Sequence, residues 1–596
     1  MANKVKAVYC VVIVGLALAC ARTSTPPNVV IIAVDSLRPD HLGCYGHTKP
    51  TSPNIDQLAR DGVLFENVIS QASWTTPSFG TILTGLYPSQ HGALTINDMI
   101  GATVPTLATI LKSKGYATAA IVNAPALSPG FGFQRGFDTY DIAEVETRKA
   151  AAISEAGLKW VDSVGRKPFL LFLHYFDAHL PYSPPPPYDT LFDAGYKGWL
   201  GRVFEPESIA PSRAALLAAM KEWSPEDWDF VKALYDGEIR STDDGIGILL
   251  RGLEDRGLKQ STLLVFVSDH GQEFFEHGAY GHGHSLHAEV LRVPLIFEFP
   301  GKLPQARRVQ QQVRLLDVTP TILTLLGVKA ETKFEGADLV PLATGRGPAE
   351  ASPGAALPAT IAYSEGVRLG GEMKAITTPA WKVIHHVESG STEVFDLRSD
   401  PGEAVSLRGD GNASRDAVRT LFGAMFSMTD SWHVEIRAGS HPHRLDIAIS
   451  ASRGPVTGEI GPVRVIDGAG MYRPLESVAG GAGAHAAIAI KELLVADSLD
   501  LVFKSSPHRY PVNFDFKFDG RPATEITFLG SELERPEGMP FVQTPGKATS
   551  KSRGEPSRRP VPPYVLVWLS GGKYGEEGAA LSESTKRQLR ALGYLE

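Results

Sequence analysis

The sequence predicts an α/β protein, a mainly parallel sheet flanked by helices, followed by a smaller C-terminal α+β part and an added β-rich module. Three observations predict this. From Asn28 to about residue 345, short apolar runs alternate with amphipathic segments, the pattern of successive βαβ units. Residues 29–34, 169–173 and 263–267 are continuous, partly β-branched apolar runs of strand length, suited to strands covered on both faces. Each run leads straight into residues that carry chemistry: Asp35 after the first, His174, Asp177 and His179 after the second, and Asp269 and His270 after the third.

The chain of 596 residues begins with Lys4 and Lys6 ahead of an apolar run over 7–19, the layout of an export signal. The run is short for a membrane span. It ends at Leu18-Ala19-Cys20, which is similar to a bacterial lipoprotein processing site, although Ala17 stands where that pattern usually has leucine. The expectation is a signal peptide over 1–19 and a lipid-anchored tether over 20–27. The mature chain is then exported and held by lipid on Cys20 at the cell envelope, either periplasmic or at the cell surface. An ordinary signal cut nearby and an uncleaved anchor are the alternatives. Cys10 leaves with the signal and Cys20 is acylated, so Cys44 stays alone and no intramolecular disulfide is expected. A net charge of −8 and a pI near 6.1 give no reason to expect a nucleic-acid partner.

Residues 28–345 are read as one domain. Within it, Ile246, Leu249, Leu250 and Leu253 recur at helical spacing over 244–257, with Gly257 as the stop. In the stretch SWTTPSFG, Pro77 is expected as the first helical residue and Thr76 as the N-cap. Thr75 then lies just outside a helix N-terminus, where free N–H groups favour negative charge. Its hydroxyl is either activated there or part of a cap. Ligands of open α/β sheets bind at the carboxyl ends of the strands, and three strands here deliver carboxylates and imidazoles to one edge. That pattern points to a metal site, although each Asp alone also reads as a turn former.

Residues 346–425 form a smaller subdomain with a strand pair at 381–384 and 393–397 and a turn at 400–402. Over 426–544, period-two alternation such as Phe514, Phe516 and Phe518 predicts a β-sandwich-like module. Residues 545–562 are basic and proline-rich and read as a flexible loop. Residues 563–596 close the chain with a strand at 564–569 and a helix at 581–592.

Seven segments together resemble the sulfatase family of the alkaline-phosphatase superfamily: PNVVIIAVDSLRPDHLGCYG, TTPS…TGLYPSQHG, KSKGYATAAIVN, HYFDAHLPYSPPPPY, STLLVFVSDHGQEFFEHG, GHGHSLHAEVLRVPLIF and EVFDLRSDPGE. The resemblance implies one divalent metal held by Asp35, Asp269 and His270, with the nucleophile Thr75 also coordinating. Oxygen-rich ligands suit Ca²⁺, Mg²⁺ or Mn²⁺, and the imidazole admits Zn²⁺.

Five departures shape the expected chemistry. Ser36 stands where the family often has a second Asp. Thr75 occupies the place of the Cys or Ser that is oxidised to formylglycine, so no formylglycine is expected. Phe79 replaces the arginine of that motif, and Val122-Asn123-Ala124-Pro125 replaces a segment bearing Lys and His. His284 takes the place of a further substrate-binding Lys, while His179 keeps its type.

The resulting expectation is a metal-dependent hydrolase or transferase acting on an anionic ester through Thr75, with phosphoryl chemistry favoured because threonine nucleophiles occur in phosphoryl-transferring relatives. His179 and His284 are expected to bind substrate and protonate the leaving group, and Asn123 to donate to a substrate oxygen. Sulfuric ester hydrolysis is one alternative and a catalytically inactive binding lipoprotein another. His174, His277, His282 and His287 are read as structural or supporting, and His91 as positioning the helix.

Overall fold

A computed structural model describes residues 26–407 except 143–147, 194, 206–208, 210–211, 350–351, 353–358 and 387–390, and beyond these mainly the backbone of strand segments between 431 and 570. The export signal, Cys20, the loop over 545–562 and almost all of the expected 581–592 helix lie outside the described residues.

The apolar runs become adjacent strands. Thr262–Ser268, Asn28–Val34 and Phe169–Tyr175 lie side by side in the middle of an eight-stranded sheet, and all three are parallel. Their registers pair Val34 with both Ser268 and Tyr175, so the residues that follow them emerge at the same level. Ala117–Val122 and Thr139–Ile142 extend the sheet in parallel on one side. On the other, Leu295–Glu298 runs antiparallel to both its neighbours, Thr262–Ser268 and Val63–Phe65, and Arg307–Val309 completes the edge.

Strand residues alternate faces, and the two cores follow that alternation. Val29, Ile31 and Ala33 face Phe79, Ile82 and Leu83 of the helix Thr75–Thr84 and Leu107 and Leu111 of the helix Leu107–Ser113. Val30, Ile32 and Val34 face the layer formed by Ala150–Val164 and Pro225–Asp255, through Ile153, Val161, Ile246 and Leu249.

The helix expected over 244–257 is the last part of a 31-residue helix, Pro225–Asp255. Its start is set by Ser224, whose Oγ accepts from the Asp227 N–H at 3.2 Å while the Asp227 carboxylate accepts from the Ser224 N–H at 3.0 Å. Gly245 and Gly252 weaken the helical pattern in the sequence but are needed for packing. A Cβ on them would lie 2.6 Å from the Ala150 Cβ and 2.3 Å from Leu158 Cδ1. Gly257, at φ +65°, ends the turn as expected.

Later in the chain, Ala362–Glu365, Met373–Thr377, Trp381–His386 and Thr392–Asp396 form a four-stranded antiparallel sheet that includes the expected strand pair. It is tied to the main domain by Ser364 Oγ donating to the Ser70 carbonyl at 2.6 Å and by the Glu365 N–H donating to Gln71 O at 2.8 Å. Farther along, Ser431–Ala451 runs antiparallel to Ala487–Phe503. Its other edge pairs first with Tyr564–Ser570 and then with Val512–Phe518. Among the described residues, no helix is long and apolar enough to cross a membrane.

Candidate metal centre and nucleophile

Two of the three central strands deliver the expected ligands as register requires. Asp35, Asp269 and His270 are fully buried and offer ligand atoms that lie within 4.8 Å of one another. His270 Nε2 is 3.2 Å from Asp269 Oδ2 and 3.7 Å from Asp35 Oδ1. The His270 Nδ1–H donates to the Gly271 carbonyl at 2.9 Å, which leaves the Nε2 lone pair aimed at the carboxylates.

The electrostatics of the pair fit a bound cation. Burial raises the Asp35 carboxyl pKa, but a hydrogen bond from His174 and the nearby His179 and His270 rings hold it well below the usual carboxylate range. Burial and the charge of Asp35 push Asp269 well above that range. Asp269 Oδ2 is buried and has no hydrogen-bond partner. Two carboxylates, an imidazole and an orphaned carboxylate oxygen are the donor set a divalent metal requires.

Ser36 fills the position of the family's second Asp differently. It adopts a left-handed φ of 57°, its Oγ donates to Asp35 Oδ1 at 2.8 Å, and its N–H donates to Asp269 Oδ1 at 3.2 Å. Both carboxylates are thus oriented by one residue in a backbone conformation that non-glycine residues seldom adopt.

Thr75 joins this cluster. Its Oγ1 is 3.4 Å from both Asp35 Oδ2 and His270 Nε2. The helix begins two residues earlier than expected: Trp74 is its cap, Thr75 its first residue and Pro77 its third. The Thr76 hydroxyl does not cap, because it donates to the Ala126 carbonyl at 2.8 Å. Proline is tolerated at the third position for the same reason as at the first: the opening N–H groups have no intrahelical acceptor. His91 braces this turn as expected, with its Nε2 3.1 Å from the Pro77 carbonyl and 3.3 Å from Thr81 Oγ1.

The remaining expected residues divide. His179 lies beside the cluster, stacked on Phe176 at 4.2 Å, with its ring 4.9 Å from that of His282. Its Nδ1–H donates to Leu180 O, and burial lowers its pKa to about 4. His284 has its Nε2 2.6 Å from Glu273 Oε2, while its buried Nδ1 has no hydrogen-bond partner. Asn123 spends its amide on the Arg148 carbonyl, at 2.8 Å. Asp177 turns away from the ligand edge and accepts from the Ala150 N–H at 3.3 Å, at the start of the helix Ala150–Val164.

Two of the histidines read as structural or supporting lie against the cluster. His174 Nε2 is 3.2 Å from Asp35 Oδ2, and the His282 ring is 4.3 Å from that of His270. For His174 a signal existed: it sits one residue before the end of a strand adjacent to the one that carries Asp35. For His282 there was none, since its place depends on the fold of the GHGH segment.

With this geometry in view, the comparisons decide the family. A model of the family described as Sulfatase matches residues 27–328, and one described as N-sulphoglucosamine sulphohydrolase, C-terminal, matches residues 275–425. The chain belongs to the sulfatase family. It is 24% identical over 437 residues to a Delta 4,5-hexuronate-2-O-sulfatase of Bacteroides thetaiotaomicron, covering 67% of this chain and 89% of that protein. It is 25% identical over 402 residues to the multifunctional alkaline phosphatase superfamily protein PehA of Trinickia caryophylli, covering 54% of this chain and 78% of that one. The alkaline-phosphatase/sulfatase-like fold is shared with solved structures. The phosphonate monoester hydrolase of Agrobacterium radiobacter is 22% identical with a TM-score of 0.54, covering 66% of this chain and 93% of that one. BT4656, solved with D-glucosamine-2-N,6-O-disulfate, is 20% identical with a TM-score of 0.57, covering 67% of this chain and 97% of that one.

Proposed function

We propose that this sulfatase-family chain is a metal-dependent hydrolase of an anionic ester that uses Thr75 as its nucleophile, with phosphoryl transfer as its native chemistry. The observation that carries the reading is Thr75 Oγ1, equidistant at 3.4 Å from Asp35 Oδ2 and His270 Nε2 on the first turn of a helix. A divalent ion held by Asp35, Asp269 and His270 would supply the positive charge that acidifies a hydroxyl and neutralises nonbridging oxygens.

The chain's own residues account for the remaining steps. The Thr75 hydroxyl gives up its proton on the side of Asp35, which His174 keeps ionised. Thr75 Oγ then bonds to phosphorus while the bond to the leaving oxygen breaks, giving a phosphothreonine ester and an alcohol that takes up the proton Thr75 released. Water cleaves that ester, returning Thr75 and releasing phosphate. The Nδ1–H of His179 is committed to Leu180 and its pKa is about 4, so at neutral pH it presents a lone pair at Nε2. That suits accepting a proton from the attacking water better than protonating a leaving group, the role expected from sequence. The Nδ1 of His284, oriented through Glu273, remains the candidate substrate contact.

Sulfuric ester hydrolysis is the second reading, favoured by the naming of the hexuronate relative as a sulfatase. Against it, a threonine sulfate lacks the hemiacetal route by which formylglycine discharges sulfate. The deciding experiment offers the metal-loaded protein matched aryl sulfate, phosphate monoester, phosphodiester and phosphonate substrates, with and without chelator. Thr75→Ala is expected to lose about a thousandfold or more in kcat, and Thr75→Ser to keep measurable turnover. Acid-quenched wild type should carry phosphate on the Thr75 peptide. Undiminished turnover in Thr75→Ala would sink the nucleophile assignment, and cleavage of the aryl sulfate alone would replace phosphoryl by sulfuryl chemistry.

The envelope location belongs to the same proposal. Labelled fatty acid should enter the wild-type chain expressed in a bacterium and not Cys20→Ala; equal labelling of both would remove the lipid anchor.

A further inference from the structure

An anionic ester needs positive charge around it, and the sequence is neutral at Phe79 and at Val122-Asn123-Ala124-Pro125, where the family has cations. The fold brings a cation from elsewhere. Arg368 follows the strand Ala362–Glu365 of the four-stranded sheet. Its N–H donates to the Gly283 carbonyl at 2.8 Å, and the Leu369 N–H donates to the same oxygen at 2.7 Å. Gly283, at φ +76°, sits between His282 and His284. A Cβ there would be 3.4 Å from both Arg368 Cβ and Nε and 3.6 Å from the Cβ of Trp74, the cap of the Thr75 helix. The arginine therefore lies against the peptide that joins the two histidines, beside the start of the nucleophile's helix. After burial, its charge is among the influences that disfavour protonation of His179, His270 and His282.

Arg38, which follows the first strand, has its guanidinium engaged by Asp40 at 2.7 Å and Glu276 at 2.6 Å. Two carboxylates already balance it.

We propose that Arg368 is the substrate-binding cation of this site, a residue from the four-stranded sheet that grips the nonbridging oxygens of the ester group presented to Thr75. The inference rests on the anionic-ester reading and names the group that recognises the anion. A guanidinium presents two parallel N–H donors to such an oxygen pair, which an imidazole cannot do. It also gives the contact between the two parts of the family fold a purpose: the site is complete only when Gly283 and Arg368 are joined. Because the joining bonds come from backbone N–H groups, changing the side chain leaves them in place.

The test compares full-length, metal-loaded wild type with Arg368→Gln and Arg368→Lys. Calorimetry with inorganic phosphate and with inorganic sulfate reads anion affinity without requiring turnover. Arg368→Gln should bind the preferred anion at least about tenfold more weakly, with Arg368→Lys in between, while metal content and thermal midpoint match wild type. On any ester that wild type cleaves, kcat/KM should fall by at least the same factor. Wild-type affinity in Arg368→Gln, or equal losses in the Gln and Lys variants, would overturn the assignment. A wild type that turns over no ester would instead count against the hydrolase reading, while the anion affinities would still decide the role of Arg368.

Discussion

Two groups among the described residues have the ligand types of a metal site, and they differ in how their charge is balanced. At Asp35, Asp269 and His270, two buried carboxylates face each other and one carboxylate oxygen has no partner. At His41, His47 and Asp236, the carboxylate is already served: His41 Nδ1 lies 2.6 Å from Oδ1 and Lys49 Nζ lies 2.8 Å from Oδ2. Burial raises the pKa of both Asp269 and Asp236, but only Asp269 also meets another carboxylate. Hydrogen bonds from His41 and Lys49, with His47 Nε2 3.5 Å away, hold Asp236 well below the usual range. Ligand identity therefore does not separate a metal centre from an ion cluster. Unbalanced negative charge does, because only there does a cation relieve a cost already present in the fold.

The comparison breaks most visibly in function. Asp269→Asn should lose bound metal and about a thousandfold of turnover, whereas Asp236→Asn, if folded, should keep wild-type metal stoichiometry by elemental analysis. Metal lost from Asp236→Asn but kept by Asp269→Asn would reverse the assignment.

Stability should then move in opposite directions. Removing the Asp236 charge leaves His41 and Lys49 without their partner and should cost about 3–5 kcal/mol in urea unfolding. In the metal-free protein at pH 7, Asp269→Asn removes a carboxyl whose charged form burial and Asp35 both disfavour, and should raise the midpoint. A lowered midpoint would show that Asp269 is balanced by something other than a metal.

The pH profile sharpens the same contrast. A depressed folded-state pKa stabilises above the unfolded value of 3.8, so the contribution of Asp236 is lost as pH falls through its folded value. A raised one acts the other way: metal-free wild type should lose stability as pH climbs from 3.8 toward the folded pKa of Asp269. Asp269→Asn should lack that loss, and Asp236→Asn should lack part of the acid loss. Thermal midpoints from pH 3 to pH 8, with and without metal, read both.

The smallest effect concerns the brace under the nucleophile. A Cβ at position 80 would sit 2.5 Å from His91 Cε1, a ring already bonded to Pro77 O. Gly80→Ala should cost about 1–3 kcal/mol and lower kcat more than it raises KM, since it shifts the turn that carries Thr75. A neutral effect on both would mean that His91 gives way without moving the helix.

Much of the fold could be read from the sequence where the signal was local. Residues 29–34, 169–173 and 263–267 are apolar enough that each had to be a central strand, and Asp35, Asp269 and His270 had to leave at one edge of the sheet. The start of the helix at Pro225 was obscured because Gly237, Gly245 and Gly247 interrupt its pattern for the sake of close packing. Asp177 misled because one residue after a strand can turn either toward the ligand edge or toward the next helix, and the Ala150 N–H drew it to the helix.

By itself the sequence determined the strands, the candidate metal ligands and a threonine at a helix start, because each depends on residues adjacent in the chain. Tertiary structure alone decided that His174 orients Asp35 and that Arg368 stands beside Gly283, 85 residues earlier in the chain. It also decided which of two similar ligand clusters has unbalanced charge. Those outcomes depend on which buried groups become neighbours, and electrostatic balance in a low-dielectric interior is a property of the neighbourhood rather than of any residue's place in the chain.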